Sequence, residues 1–174
     1  MPAYLLLAVA ILSRLLPHPP SFTAVGGALL YFGARRSRRE MLLPLAAFMA
    51  LDVVLTVFIY HSAFLWQAYV TTWVWYLAAM ALGRILLRVR TTWLGAGSAV
   101  LLGPTSFFIV SNFGVWSGSL QYPHTASGLV ACYVAAIPFY GNDLLATTLV
   151  CGLAFGVPVL VRRLRSQPAV QPTA

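Results

Sequence analysis

Two ionisable side chains lie inside apolar sequence, where charge is costly and a chemical role is worth testing. Asp52 stands near the middle of the apolar run 41–60, and Arg14 lies near the end of the apolar run 3–16. A carboxylate within a membrane is unfavourable unless it is protonated, paired or facing a polar cavity. Two interpretations follow: an Arg14–Asp52 ion pair that fixes helix register, or a role for Asp52 in handling a ligand or a proton.

A second set of polar and aromatic side chains lies in the segment 111–125. Asn112, Trp116, Tyr122 and His124 alternate there with flexible glycines. Aromatic rings supply contact area, and amide or imidazole groups supply directional hydrogen bonds, so the segment is predicted to close over a partly planar ligand. An aromatic belt with a polar cap at the membrane surface is the alternative.

The pair Asn142 and Asp143 opens the last predicted helix. A carboxylate at a helix N-terminus is stabilised by the helix dipole, so capping explains the pair. Its position beneath the predicted outer site also makes Asn142 a candidate ligand contact.

The three histidines, His18, His61 and His124, lie on three separate predicted loops. None has the i, i+4 spacing of a helical metal-binding pair, and no acidic cluster accompanies them, so no dedicated metal site is predicted. A single imidazole can still serve as axial ligand to a metal inside a bound cofactor. The candidates for that role are His18 and His61, and no cofactor is identified.

Sequence patterns of known catalytic sites are missing from the chain. There is no Walker sequence, no HExxH, no pair of carboxylates and no phosphate-binding glycine loop after a strand. The sequence therefore predicts a protein that is not an enzyme. A membrane enzyme that uses His and Asp as acid and base is the least favoured hypothesis.

The elements that must position these residues are helices in a membrane. Of 174 residues, 60% are hydrophobic and 8% are charged, which excludes an ordinary soluble domain. The predicted fold is all-α, with one transmembrane domain over residues 1–165 and a disordered tail over 166–174. Six membrane-spanning helices are predicted at residues 3–16, 22–34, 41–60, 66–87, 93–113 and 142–161. The segment 127–139, interrupted by Pro138, is predicted as a short interfacial or re-entrant helix between the fifth and sixth.

The arginines orient this bundle. Eleven basic residues, all Arg, stand against Glu40, Asp52 and Asp143, which gives a net charge of +8. All the arginines except Arg14 fall in three clusters, at 35–39, 84–90 and 162–165. Six crossings place the three clusters on one face, which the positive-inside rule makes cytoplasmic, together with both termini. The charge therefore describes topology and does not indicate a nucleic-acid partner.

Small residues four apart allow close approach between helices. Three such steps occur, at Ala79/Gly83, Gly95/Ala99 and Gly152/Gly156.

Several blocks of the chain resemble an uncharacterised bacterial family of small multi-pass membrane proteins. The blocks are residues 14–23 (RLLPHPPSFT), Asp52, 111–116 (SNFGVW), 122–125 (YPHT) and 138–142 (PFYGN). Within the first block, Ser21 departs from the Asn of the family pattern.

That family is in turn similar to the substrate-binding S components of energy-coupling-factor vitamin transporters. The resemblance implies six helices, cytoplasmic termini and a pocket near the outer face beneath a mobile loop. By the same resemblance His18, Asp52 and Tyr69 would line the pocket, and cobalamin is the nearest ligand class. The loop after the third helix lacks the cysteine that could ligate cobalt.

The leading hypothesis is therefore a ligand-binding protein of the bacterial cytoplasmic membrane, of the vitamin-uptake type. Transport would need a partner ATPase module or tipping of the whole bundle in the membrane. The alternative is an accessory subunit of a larger membrane complex that contacts pigment, quinone or lipid. Trp73, Trp75 and Tyr76, if they face lipid, would form its docking surface.

Overall fold

The computed structural model describes residues 1–89 and 91–165, and within them the fold is all-α with six helices. The predicted disordered tail, 166–174, lies outside the described residues. The six helices are α1 (Pro2–Leu15), α2 (Val25–Arg35), α3 (Leu42–Val54), α4 (Trp66–Leu87), α5 (Trp93–Gly118) and α6 (Ala126–Cys151). A 3₁₀ turn, Arg39–Met41, precedes α3, and a π-helical turn, Leu55–Ile59, extends it. A second π-helical turn, Gly152–Gly156, continues α6 into Val157–Arg165.

Among the described residues, four helices are long and apolar enough to cross a membrane. They cover Arg39–Ile59, Trp66–Leu87, Trp93–Gly118 and Ala126–Val161. Many of their large apolar side chains are exposed, as expected for surfaces in contact with lipid.

The first two helices are shorter than the others. α1 has 14 residues and α2 has 11. At about 1.5 Å per residue they are roughly 21 and 16 Å long, less than the membrane core of about 30 Å. The turn between them therefore lies inside the length of the bundle. Its depth is fixed by Asn142, in the middle of α6, whose side-chain amide donates to the carbonyl oxygen of Pro20 at 2.9 Å.

A single helix, α6, replaces the predicted short helix and the predicted sixth span. It begins at a Thr125 cap, where the hydroxyl accepts from the backbone N–H of Gly128 at 3.2 Å, and it runs through Pro138 without a break. A proline removes one backbone donor, and membrane helices tolerate that loss because packing, hydroxyls and local adjustments compensate for it. The predicted interfacial or re-entrant helix was therefore wrong. The predicted N-terminal cap at Asn142 and Asp143 was wrong too, since both lie inside the helix.

The helix α5 also extends further than predicted. It ends at Gly118, so most of the segment expected to form a mobile loop is helical. The connection to α6 is reduced to residues 119–125.

Contacts between arginine-bearing elements define one end of the bundle, called here the arginine end. Arg84 donates to the carbonyl oxygen of Arg36 at 3.2 Å, and Arg35 donates to the hydroxyl of Thr91 at 3.3 Å. The guanidinium of Arg35 also lies 5.3 Å from the ring centre of Phe155, in the π-helical turn that continues α6. The loops 60–65 and 119–125 lie at the other end, called the histidine end because they carry His61 and His124. The 16–24 turn points toward the histidine end but lies below it.

The buried centre of the bundle is α2, which packs tightly on α4. A Cβ added to Gly33 would overlap the backbone of Met80, and one added to Gly83 would overlap the backbone of Leu30. The predicted Ala79/Gly83 step therefore lies at a close helix contact. The space beside Gly152 and Gly156 is open, so that step makes no such contact within the described residues.

Replacing Gly83 by Ala tests this contact. The new methyl group must displace the carbonyl of Leu30, and overpacking of this kind costs about 1–3 kcal/mol. We expect Gly83→Ala to lower the thermal unfolding midpoint in detergent. The matched control is Gly141→Ala, because no atom lies within 4 Å of a Cβ there and helix propensity favours Ala by about 1 kcal/mol. Equal midpoints for the two variants would contradict the close α2–α4 packing.

Candidate functional site

An ion pair joins α1 to α3 in the interior of the bundle. Nη1 of Arg14 lies 2.7 Å from Oδ1 of Asp52, and the exposed fractions of the two side chains are 22% and 1%. Nη1 also donates to the hydroxyl of Tyr76 at 3.1 Å. The predicted structural pair is therefore present. Because Arg14 is partly exposed and Asp52 is not, the pair lies at the wall of an accessible space.

The second oxygen of Asp52 is held from α4. The indole N–H of Trp73 donates to Oδ2 at 2.9 Å. The carboxylate thus accepts hydrogen bonds from two elements, as a buried charge requires. One helical turn further along, the hydroxyls of Thr56 and Tyr69 lie 2.5 Å apart, and Thr56 donates to the backbone carbonyl of Asp52 at 2.7 Å. Tyr69 is therefore fixed with respect to the carboxylate through Thr56.

A cavity of about 290 Å³ lies beside this pair. It extends from the buried Asp52 to the exposed side chains of His18 and Tyr60, so it opens toward the histidine end. The shortness of α1 and α2 creates it, because their turn stops below that end. Three of the predicted site residues, His18, Asp52 and Tyr69, line it together. The wall also includes Arg14, Thr23, Thr72, Trp75, Tyr76, Phe107 and Asp143.

A smaller cavity of about 130 Å³ adjoins the first one. The two share Ser21, Phe107 and Asp143, so these side chains stand at the junction. Asn112 lines the smaller cavity, and its side-chain amide donates to the carbonyl of Phe108 in its own helix at 2.7 Å. Asn112, a predicted ligand contact, therefore lines the smaller cavity and not the one beside the ion pair.

The remaining predicted residues of the outer segment lie in the last turns of α5 and in the connection to α6. The indole of Trp116 donates to the carbonyl of Pro123 at 2.9 Å, and its ring packs edge-on against His124, with centres 5.5 Å apart. Trp116, Tyr122 and His124 are not among the residues that line either cavity. These contacts of Trp116 stabilise the connection between α5 and α6.

His61 and Asn142 also lie outside the cavity walls. His61 is exposed in the loop 60–65, with a positive φ of 50°. Asn142 anchors the carbonyl of Pro20 and so sets the depth of the turn that carries His18. Its side chain therefore positions the cavity wall.

Three aromatic residues interpreted as a lipid-facing docking surface point inward. Trp75 and Tyr76 are buried, with exposed fractions of 6% and 3%, and Trp73 donates to Asp52. The docking interpretation of these residues was therefore wrong. The spacing of aromatic residues on α4 did indicate a shared inward face, because Tyr69, Trp73 and Tyr76 recur every three or four residues and lie on one side of the helix.

The described residues contain no group of three or more His, Cys, Asp or Glu side chains placed to hold a metal ion. His18 donates from Nδ1 to the carbonyl of Pro19 at 2.8 Å, since a carbonyl can only accept. The ring therefore keeps Nε2 available as an acceptor in its neutral form.

Comparison with family models assigns the chain to a family. Residues 1–170 match the family of unknown function DUF6580, so the protein belongs to that family. No curated protein and no solved structure matches the chain.

Removing one partner of the buried pair leaves the other charge uncompensated. We expect Asp52→Asn and Arg14→Gln each to destabilise the protein by about 3–5 kcal/mol, as measured for buried pairs. The double variant Arg14→Gln/Asp52→Asn removes both charges, so its thermal midpoint in detergent should lie above the midpoint expected from adding the single losses. Additive losses would show that the two side chains do not depend on each other.

Proposed function

We propose, from the site itself, that the chain is an integral membrane protein that binds a small nutrient in the cavity beside Arg14 and Asp52. Membership of the family does not indicate an activity. The observation that carries the proposal is a polar, charge-lined cavity inside an apolar bundle. Charged side chains within membrane helices are rare and commonly mark the path of a substrate or an ion. The aromatic wall of Trp75, Tyr76 and Phe107 favours a ligand with a planar part.

The size of the cavity narrows the ligand. About 290 Å³ stands at the lower limit of the range for drug-sized ligands, roughly 300 Å³. A cobalamin, with its corrin ring and nucleotide arm, needs a much larger space. Among the ligands implied by the resemblance to vitamin-uptake S components, the cavity therefore favours a small conjugated nutrient.

We place the histidine end outside the cell and the arginine end in the cytoplasm of a bacterium. Support comes from the positive-inside rule, since Arg35 and Arg84 belong to the arginine end and the helical segment that ends at Arg165 runs toward it. A cavity open to the outside suits capture for uptake. The chain contains no Walker sequence, so transport would need an energy-coupling ATPase module or another membrane partner.

Filling the cavity tests ligand binding. Thr72 lines the cavity on α4, whereas Val74 on the same helix is 60% exposed on the outer surface. We expect Thr72→Trp to reduce copurified ligand by about tenfold or more, the effect of losing 1.4 kcal/mol of binding free energy, and Val74→Trp to leave it unchanged. Mass spectrometry of gently purified protein measures the ligand, and thermal stability in a panel of water-soluble vitamins identifies it. If only lipid is found and no vitamin raises the midpoint, the proposed function is wrong.

Single cysteines test the orientation. Ser62 is exposed at the histidine end and Ser37 is exposed at the arginine end. The native Cys132 and Cys151 are buried and give little background. We expect Ser62→Cys to react with a membrane-impermeant maleimide in intact cells, and Ser37→Cys to react only after permeabilisation. Labelling of Ser37→Cys in intact cells would reverse the proposed orientation.

A further inference from the structure

Asp143 is the third acidic residue of the chain and stands at the junction of the two cavities. It lies in the middle of α6, its exposed fraction is 8%, and it lines both spaces. A carboxyl group at this depth in a membrane helix is unfavourable unless it is protonated, paired or facing a polar cavity.

The described side chains provide Asp143 with one weak polar contact. The hydroxyl of Thr147 donates to Oδ1 at 3.3 Å. The ion pairs formed by described side chains are Arg14–Asp52 and Arg36–Glu40, and neither involves Asp143. Compared with Asp52, which receives an arginine and an indole N–H, Asp143 is therefore poorly compensated.

The second oxygen of Asp143 remains accessible from the cavity. Oδ2 accepts no hydrogen bond from the described residues, and it is not among the buried side-chain atoms that lack a partner. On the α2 side the neighbour is Gly26, where even an added Cβ would lie 3.5 Å from Oδ1. The carboxylate is thus left open to a molecule in the cavity, next to the ring of Phe107.

With the imidazole of His18 neutral and both carboxyl groups ionised, the formal charges of the cavity wall have a negative sum. Arg14 contributes one positive charge, and Asp52 and Asp143 contribute one negative charge each. The positive charge is already engaged by Asp52. In a medium of low dielectric constant, a remaining negative charge attracts a cation strongly and disfavours an anion.

We propose that the cavity binds a cationic aromatic or heteroaromatic ligand, whose amidinium-like or ammonium nitrogen donates to Asp143 while its ring packs against Phe107. The inference rests on the proposed function and specifies the ligand class. An amidinium offers two parallel N–H donors to one carboxylate, which is the strongest hydrogen-bonded arrangement that such a group can form. The surrounding aromatic rings add attraction for the positive charge.

Three probes of similar shape and different charge test this ligand class. Benzamidine is cationic, benzamide is its neutral counterpart, and benzoate is anionic. Each is titrated against the full-length protein in detergent, and the dissociation constant is taken from the rise in the thermal midpoint with concentration. The variants are Asp143→Asn, which removes the charge and keeps the shape, and Thr72→Trp, which fills the cavity. Glu40→Gln at the arginine end is the control for loss of an acidic residue elsewhere.

We expect benzamidine to bind the native protein more tightly than benzamide or benzoate, because it is the only one of the three that can form an ion pair with the carboxylate. Asp143→Asn should weaken benzamidine by about tenfold or more, as for loss of a charge-assisted hydrogen bond. Thr72→Trp should abolish the effect and Glu40→Gln should leave it unchanged.

Two results would overturn the inference and leave the proposed function standing. One is benzamide or benzoate binding as tightly as benzamidine in a manner that Thr72→Trp abolishes. The other is equal binding of benzamidine to the native protein and to Asp143→Asn. If none of the probes and none of the vitamins binds, both the inference and the proposed function fail.

Discussion

The fold depends on one electrostatic constraint: the charges of Arg14 and Asp52 lie inside an apolar bundle and must be satisfied there. The pair closes at 2.7 Å, and Trp73 and Tyr76 complete its hydrogen bonds from α4. Since a buried charge left alone costs several kcal/mol, three helices are fixed in register around this point. The end of α1 must therefore lie at the depth of Asp52, well below the histidine end.

The cavity follows from that register. Because α1 ends beside Arg14, the chain turns inside the bundle, and α2 begins at the same depth. The long helices α4, α5 and α6 continue past the turn and enclose a space above it. Close packing of Gly33 on Met80 and of Gly83 on Leu30 keeps α2 against α4 below this level. The same contacts that stabilise the lower half of the bundle thus leave the upper half open to a ligand.

Some features could be predicted from hydropathy and isolated charges, whereas the course of the last helix and the direction of its neighbours' side chains could not. The bounds of α4 and the Arg14–Asp52 pair were predicted because hydropathy and isolated charges are visible in the sequence. Pro138 was interpreted as a break, although Pro104 lies inside α5 in the same way. Whether a proline interrupts a membrane helix depends on its neighbours, which a sequence pattern does not contain. Likewise, the side chain of Trp73 points inward because it donates to Asp52 in another helix, a contact that the sequence pattern does not contain.

The three acidic residues differ in how their charges are compensated, and this difference separates structural from functional roles. Glu40 pairs with Arg36 at the exposed arginine end, where solvent also stabilises both charges. Asp52 pairs with Arg14 in the interior and holds the register of the helices. For Asp143 the described part of the chain supplies a single hydroxyl contact at 3.3 Å. A membrane protein keeps such a carboxylate only at a cost in stability, and a cation that enters the cavity offsets that cost when it binds. The acidic residue least satisfied by the fold is therefore the one best placed to recognise a ligand.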